Sequence, residues 1–181
     1  YKNSLATIYV VRDPRNVITS LMHHYSLKNY DNALKFIFDE HRFSGRLDKK
    51  ENIKRQTEFP TYISSWQNHF ISWKNFKKNY LLIKYEDLLK SPSKEIKKIY
   101  NFLKKFFELD LDNKDLDKIL KLSTFENLKK KEKEGKFKEK LEHLKTKKKI
   151  DFFNSGPSND WKKQLNTDLK SELEKEFFSE M

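Results

Sequence analysis

The sequence predicts an α/β fold in which a parallel sheet is flanked by helices, with more helix than strand. Two apolar runs, LATIYVV at residues 5–11 and YLLIKY at residues 80–85, predict the strands. The first run shows almost no polar alternation, which is typical of a strand buried on both faces of a parallel sheet. The long segment between the runs carries helix signals, and parallel pairing needs a crossover of this kind.

Capping residues and apolar spacing predict the helices. Asp13-Pro14 starts one, because Asp is a favoured N-cap and Pro is tolerated at the first helical position. Ser91-Pro92 starts another, with an apolar stripe through Ile96, Ile99, Tyr100 and Leu103. We expect further helices over residues 31–43, 113–122 and 167–178, and one through Tyr62, Trp66, Phe70 and Trp73, while the first helix runs to about Leu27. Residues 44–60 and 151–160 are predicted to be loops.

Composition limits the class of protein. The net charge is +12, but Lys outnumbers Arg 34 to 5, and base-edge readout favours the Arg fork, so nucleic acid is disfavoured as a partner. Residues 129–149 hold eleven Lys and four Glu, which predicts a solvated helix or a mobile loop. No run approaches the roughly 18–20 apolar residues of a membrane span. Without Cys there is no thiolate metal site, and a cytoplasmic location is the default.

The residues YVVRDPRNVITS at positions 9–20 are the most informative segment. Ligands of parallel α/β sheets bind at the carboxyl ends of strands, where helix N-termini attract anions. Arg12 follows the first strand and has a fork suited to two phosphate oxygens. Ser20 lies about two helical turns further on, so that its hydroxyl can lie on the same side as the helix start. On the residues alone, an Arg capping a strand and a Ser packed in a helix remain an equal alternative.

This segment resembles the 3′-phosphate-binding signature of sulfotransferases, and four further motifs follow in the family's order. They are the helix SWQNHFISW, the strand end LIKYEDL, the segment STFENLK and the late loop FFNSGPSNDWK. The resemblance covers nearly all of residues 1–181. It implies a P-loop NTPase-like α/β fold and the co-substrate 3′-phosphoadenosine-5′-phosphosulfate (PAPS). The implied reaction moves a sulfuryl group to an acceptor hydroxyl or amine.

The resemblance also implies the residues that bind the nucleotide. In the family the matching Arg and Ser hold the 3′-phosphate, the Tyr of the second strand end contacts the adenine, and the STF segment brackets it. The cofactor-binding residues expected in this chain are Arg12, Ser20, Tyr85, Ser123, Phe125 and Gly156.

Two departures from the family pattern concern the late loop. Asn154 and Ser155 stand where the family usually has Arg and Lys, so two cationic contacts to the 3′-phosphate are missing. Asn159 replaces the second Gly of the loop, which we expect to be a mild change because Asn tolerates a left-handed backbone.

The family's phosphosulfate loop and its His base would precede Arg12 by more residues than this chain contains. The sequence therefore predicts that residues 1–181 form a single sulfotransferase domain without its N-terminal phosphosulfate-binding part, inactive by itself. The missing strand would leave a free sheet edge, so self-association is also expected.

No catalytic residue is assigned from the sequence, and no metal site is expected, because the five His residues lack ligand-like pairing with carboxylates. His69 is predicted to be a packed helix residue, whereas His23 and His24 are candidates for the acceptor pocket. Two other classes stay open: a non-catalytic nucleotide- or nucleic-acid-binding module, and a helical interaction protein that uses Tyr62, Trp66 and Trp73 as a partner surface.

Overall fold

The computed structural model describes residues 4–44, 61–76, 79–137, 139, 141–143, 146 and 148–177. Helices form most of the secondary structure in these ranges. The strands are β1 (Thr7–Val11), β2 (Phe43–Ser44), β3 (Thr61–Tyr62), β4 (Tyr80–Lys84), β5 (Leu141–Glu142) and β6 (Lys149–Ile150). The helices are α1 (Pro14–His24), α2 (Tyr30–Phe38), α3 (Trp66–Lys74), α4 (Tyr85–Lys90), α5 (Pro92–Leu103), α6 (Asn113–Leu122), α7 (Phe125–Lys133), α8 (Trp161–Gln164) and α9 (Thr167–Glu176), with a 3₁₀ turn at Gly156–Ser158.

The central sheet pairs β1 with β4 in parallel, as the sequence predicts. Thr7 lies opposite Tyr80 and Val11 opposite Lys84, so the two strands end at the same level. Within the described ranges this sheet has two strands, and β2–β3 and β5–β6 form short antiparallel pairs. The predicted burial of β1 on both faces is wrong: Val11 is buried, but Val10 is 51% exposed. Each strand of a two-stranded sheet is an edge strand, which explains the exposure.

The main hydrophobic core lies where α1, α2 and α9 pack together. Its buried members are Ile18, Ala33, Leu34, Ile37, Leu165, Leu173 and Phe177. Trp66 at the start of α3 packs against this core and lies 5.1 Å from the Phe177 ring, centroid to centroid. Trp66 therefore serves the core rather than a partner surface.

Several predicted helix limits need correction. The first helix ends at His24 rather than at Leu27, and the second at Phe38 rather than at Phe43. Phe43 instead lies in β2, opposite Tyr62 of β3, so Tyr62 does not share the helical face of Trp66. Strand pairing overrides helical spacing there. The last helix ends at Glu176, with Phe177 as its C-cap, rather than at about residue 178. The loop predicted over residues 44–60 lies outside the described residues after Ser44.

An aromatic column joins α3 to the exposed-edge strand β1. Tyr9 stacks on Trp73 with ring centroids 5.8 Å apart. The Trp73 indole N–H donates to His69 Nε2 at 3.2 Å, so the other ring nitrogen, Nδ1, carries the proton toward the Tyr9 hydroxyl oxygen at 3.0 Å. His69 is thus a packed residue, as expected. Burial lowers the pKa of His69 and raises the pKa of Tyr9 to about 12, with a smaller contribution from Tyr80.

Among the described residues, every helix is too short or too polar to cross a bilayer.

Candidate functional site

The carboxyl ends of β1 and β4 bring two predicted site residues together. Because the strands pair in parallel with Val11 opposite Lys84, the next residues, Arg12 and Tyr85, leave the same edge of the sheet. The Arg12 guanidinium carbon lies 4.5 Å from the centroid of the Tyr85 ring, which is a cation–π contact.

Arg12 also reaches the first helix. Its Nη1 donates a hydrogen bond to Ser20 Oγ at 3.1 Å, which matches the two-turn spacing seen in the sequence. Its Nε is buried and finds no acceptor among the described residues. Burial lowers the pKa of Arg12, and the nearby Tyr85, Glu86 and Asp13 oppose this shift. A buried, charged Arg whose Nε–H lacks an acceptor is suited to bind an anion, because the anion would supply that acceptor.

One cavity of about 1000 Å³ lies at this edge of the sheet. The structure brings all six predicted cofactor-binding residues to its wall, which are Arg12, Ser20, Tyr85, Ser123, Phe125 and Gly156. Apolar side chains of α4 and α5 also line it. The polar lining comes both from the β1–α1 end, with Arg12 and Ser20, and from α6 and the residues after it, with Lys121 and Ser123. The apolar part suits a flat aromatic group.

Gly156 brings the late loop against the STF segment. Its φ is +50°, a left-handed conformation that L side chains rarely adopt, and a Cβ at this position would overlap the Phe125 ring. Phe125 follows Thr124, whose side chain caps α7 by accepting from Asn127 N–H. The ring and the glycine therefore form one wall of the cavity by direct contact.

Glu132 is a second anchor of the late loop, and the sequence analysis did not identify it. Its carboxylate is buried, 5% exposed, and accepts from the backbone N–H groups of Phe152 and Phe153 at 2.5 and 3.0 Å. Both Phe rings line the cavity. The first part of the Lys-rich segment, up to Lys133, belongs to helix α7. Glu132, a charged side chain rather than an apolar one, attaches this helix to the late loop.

The structure shows that Asn159 does not adopt the left-handed backbone on which the expectation of a mild change was based. Its φ is −69° and its ψ is 102°, which is extended rather than left-handed. The side chain is 8% exposed and uses its whole hydrogen-bonding capacity. The amide nitrogen donates to Ser20 Oγ at 2.9 Å and to Asn16 O at 3.0 Å, while the amide oxygen accepts from Thr19 Oγ1 at 2.8 Å and Gln164 Nε2 at 2.9 Å.

The family model described as "Sulfotransferase domain" matches residues 1–181. This chain belongs to the sulfotransferase domain family. Sulfotransferase 1 family member D1 of Mus musculus is 27% identical over 186 residues, which cover 100% of this chain and 56% of that protein. Sulfotransferase 2A1 of Homo sapiens is 26% identical over 183 residues and is covered to 58%. The chain therefore spans little more than half the length of these relatives.

A solved structure supports the sulfotransferase fold. The crystal structure of mouse sulfotransferase SULT7A1 complexed with PAP superposes with a TM-score of 0.64 at 21% identity, covering 96% of this chain and 57% of that one. At this identity the likeness concerns the fold, and it confirms the α/β class predicted from the sequence.

Within this sulfotransferase domain, two His residues reach the cavity. His23 and His24 both line it. Nε2 of His23 lies 2.7 Å from the Asp151 carbonyl oxygen and so donates to it. Burial, and secondarily the neighbouring His23, lower the pKa of His24. Their assignment to an acceptor pocket stays a prediction. Among the described residues, no group of three His, Cys, Asp or Glu side chains could hold a metal.

Proposed function

We propose that this domain binds the adenosine and 3′-phosphate half of PAPS for sulfuryl transfer to an acceptor hydroxyl or amine. The contact of Arg12 with Ser20 and Tyr85 at the cavity is the observation that carries the proposal. The guanidinium supplies charge and an unused buried donor to a phosphate, while the ring beside it offers a face to a nucleobase.

The apolar part of the cavity supports an adenine site. Phe125 and Tyr85 are aromatic, and both lie on the cavity wall with Ser123. A purine that enters this space removes apolar area from water and offers its face to the rings. We assign Tyr85, Ser123 and Phe125 to the base, and Arg12, Ser20 and Gly156 to the phosphate side.

The phosphate side carries fewer cations than the family pattern. Asn154 and Ser155 line the cavity where Arg and Lys are usual, so neither adds charge. Lys121 of α6 also lines the cavity. We assign the electrostatic part of 3′-phosphate binding chiefly to Arg12, because its buried Nε lacks an acceptor and its Nη1 reaches Ser20. In the transfer reaction, the contribution of these residues is positioning of the nucleotide for an in-line displacement.

Calorimetric titration with adenosine 3′,5′-bisphosphate (PAP) and adenosine 5′-phosphate (AMP) tests the proposal. We expect the wild type to prefer PAP and Arg12→Ala to lose about 1.5–3 kcal/mol of PAP binding, the value of a charge-assisted hydrogen bond. Arg15→Ala is the matched control, because Arg15 pairs with Asp13 and Glu174 rather than with a group of the cavity. Equal affinity for PAP and AMP in the wild type would refute the proposed function.

A further inference from the structure

Ser20 Oγ accepts two hydrogen bonds from within the protein. Arg12 Nη1 donates to it at 3.1 Å and Asn159 Nδ2 at 2.9 Å. A serine hydroxyl has two acceptor lone pairs and one proton. Both lone pairs are therefore used, and the O–H group remains as a donor. No described residue accepts that proton, and Ser20 lines the cavity.

The orientation of the Asn159 amide is fixed by its other partners. Its oxygen faces the donor Gln164 Nε2 and the Thr19 hydroxyl, which can donate or accept and also lies 2.9 Å from the Asn16 carbonyl oxygen. Its nitrogen faces the Asn16 carbonyl oxygen at 3.0 Å, an acceptor that only an N–H can satisfy. A flipped amide would place donor against donor and oxygen against oxygen. Asn159 must therefore donate to Ser20 rather than accept from it.

We propose that Asn159 is a positioning residue that sets the Ser20 hydroxyl as a hydrogen-bond donor to the 3′-phosphate of the nucleotide. This inference rests on the proposed function. A glycine, which the family pattern has at this point, offers no side chain to do so. In this chain the amide works beside Arg12 in a site where Asn154 and Ser155 bring no charge. The ligand recognised is a phosphate monoester, because its oxygens accept a hydrogen bond while its charge pairs with Arg12.

The test measures the ratio of PAP to AMP affinity by calorimetry in four variants. Asn159→Ala should weaken PAP by about tenfold, the value of one hydrogen bond to a charged group, and leave AMP within about twofold. Ser20→Ala should do the same. In the double variant, Asn159→Ala should add less than about twofold, because it acts through Ser20. Asn166→Ala is the control, since exposed Asn166 caps α9 by accepting from Leu169 N–H and does not line the cavity, and it should keep the ratio.

Thermal denaturation of each variant separates affinity from folding. A lower melting temperature with an unchanged ratio means that Asn159 only holds the loop, and this result overturns the inference while the proposed function stands. If Asn159→Ala does not fold, Asn159→Gly replaces it and must show the same loss of ratio. A wild type without preference for PAP overturns the proposed function and this inference together.

Discussion

At the scale of the residue, two separate features of position 156 require a glycine. Its backbone is left-handed, with a φ of +50°, and its α-carbon lies against the Phe125 ring. Gly135 shares only the left-handed backbone, because its φ is +70° while nothing lies within 4 Å of a Cβ built there. The two glycines allow backbone strain and ring contact to be measured apart.

We expect Gly156→Ala to destabilise the fold by more than Gly135→Ala and to weaken nucleotide binding as well. The backbone term should be about 1–2 kcal/mol in both variants, and the displaced Phe125 ring adds its cost only at residue 156. Chemical denaturation gives the free energy of unfolding, and calorimetry gives the PAP affinity. Equal losses in the two variants, with PAP affinity retained, would contradict the role given to the ring contact.

At the scale of the element, α7 is tied to the late loop by one carboxylate. Glu132 accepts from two consecutive backbone N–H groups, at Phe152 and Phe153. This pairing satisfies a buried charge by hydrogen bonds instead of by a cation. It also sets the position of two rings that line the cavity.

Glu132→Gln should loosen this link, because the amide nitrogen of Gln would face a backbone N–H, donor against donor. Leaving one N–H unpaired costs about 1–3 kcal/mol. Hydrogen exchange at Phe152 and Phe153 should become faster, and PAP affinity should fall. Glu126→Gln, an exposed change on the same helix, is the control. Unchanged exchange at both amides would mean that the carboxylate does not hold the loop.

At the scale of the whole molecule, His69 couples the stability of the fold to pH. Burial lowers its pKa in the folded state, below the value of about 6.5 for an unfolded chain. Its contribution to stability is therefore complete above pH 6.5 and is lost as pH falls through the folded pKa. Protonation would also place a proton on Nε2 against the Trp73 N–H.

We expect His69→Gln to flatten the pH dependence of the free energy of unfolding between about pH 7 and 5. Urea titrations across this range measure the slope. The same change at exposed His41 controls for the general effect of replacing a His with Gln. Burial also lowers the pKa of His24, which therefore contributes to the pH dependence in the same sense. The slope in His69→Gln should thus decrease without vanishing. A slope equal to that of the wild type would show that His69 is not a source of acid sensitivity.

The sequence predicted the parts of the site that depend on short-range order. Spacing placed Arg12 at a strand end and Ser20 two helical turns further on, but with an equal alternative reading. The resemblance to sulfotransferases, and not spacing, pointed to Tyr85, Ser123, Phe125 and Gly156. Asn159 and Glu132 escaped prediction because their partners, Ser20 and Phe152, are far away along the chain. Their only signal was chemical: a polar side chain in place of a glycine, and a Glu within a run of Lys.

The helix ends were predicted less well for a related reason. Phe43 continues the apolar spacing of α2, but it pairs with Tyr62 in a strand instead. Tertiary contacts decide such positions, and a local pattern does not contain them. The predicted cytoplasmic location and self-association stay predictions.

The parallel register of β1 and β4 determines the relative positions of Arg12 and Tyr85 in the site. Five residue pairs, from Thr7–Tyr80 to Val11–Lys84, fix where each strand stops. A shift by one residue would move Arg12 by about 3.3 Å along the strand and turn its side chain to the opposite face. The position of Arg12 relative to Tyr85 depends on this register and not on how many residues separate the two strands along the chain. A single deletion inside β1 should therefore separate the guanidinium from the Tyr85 ring.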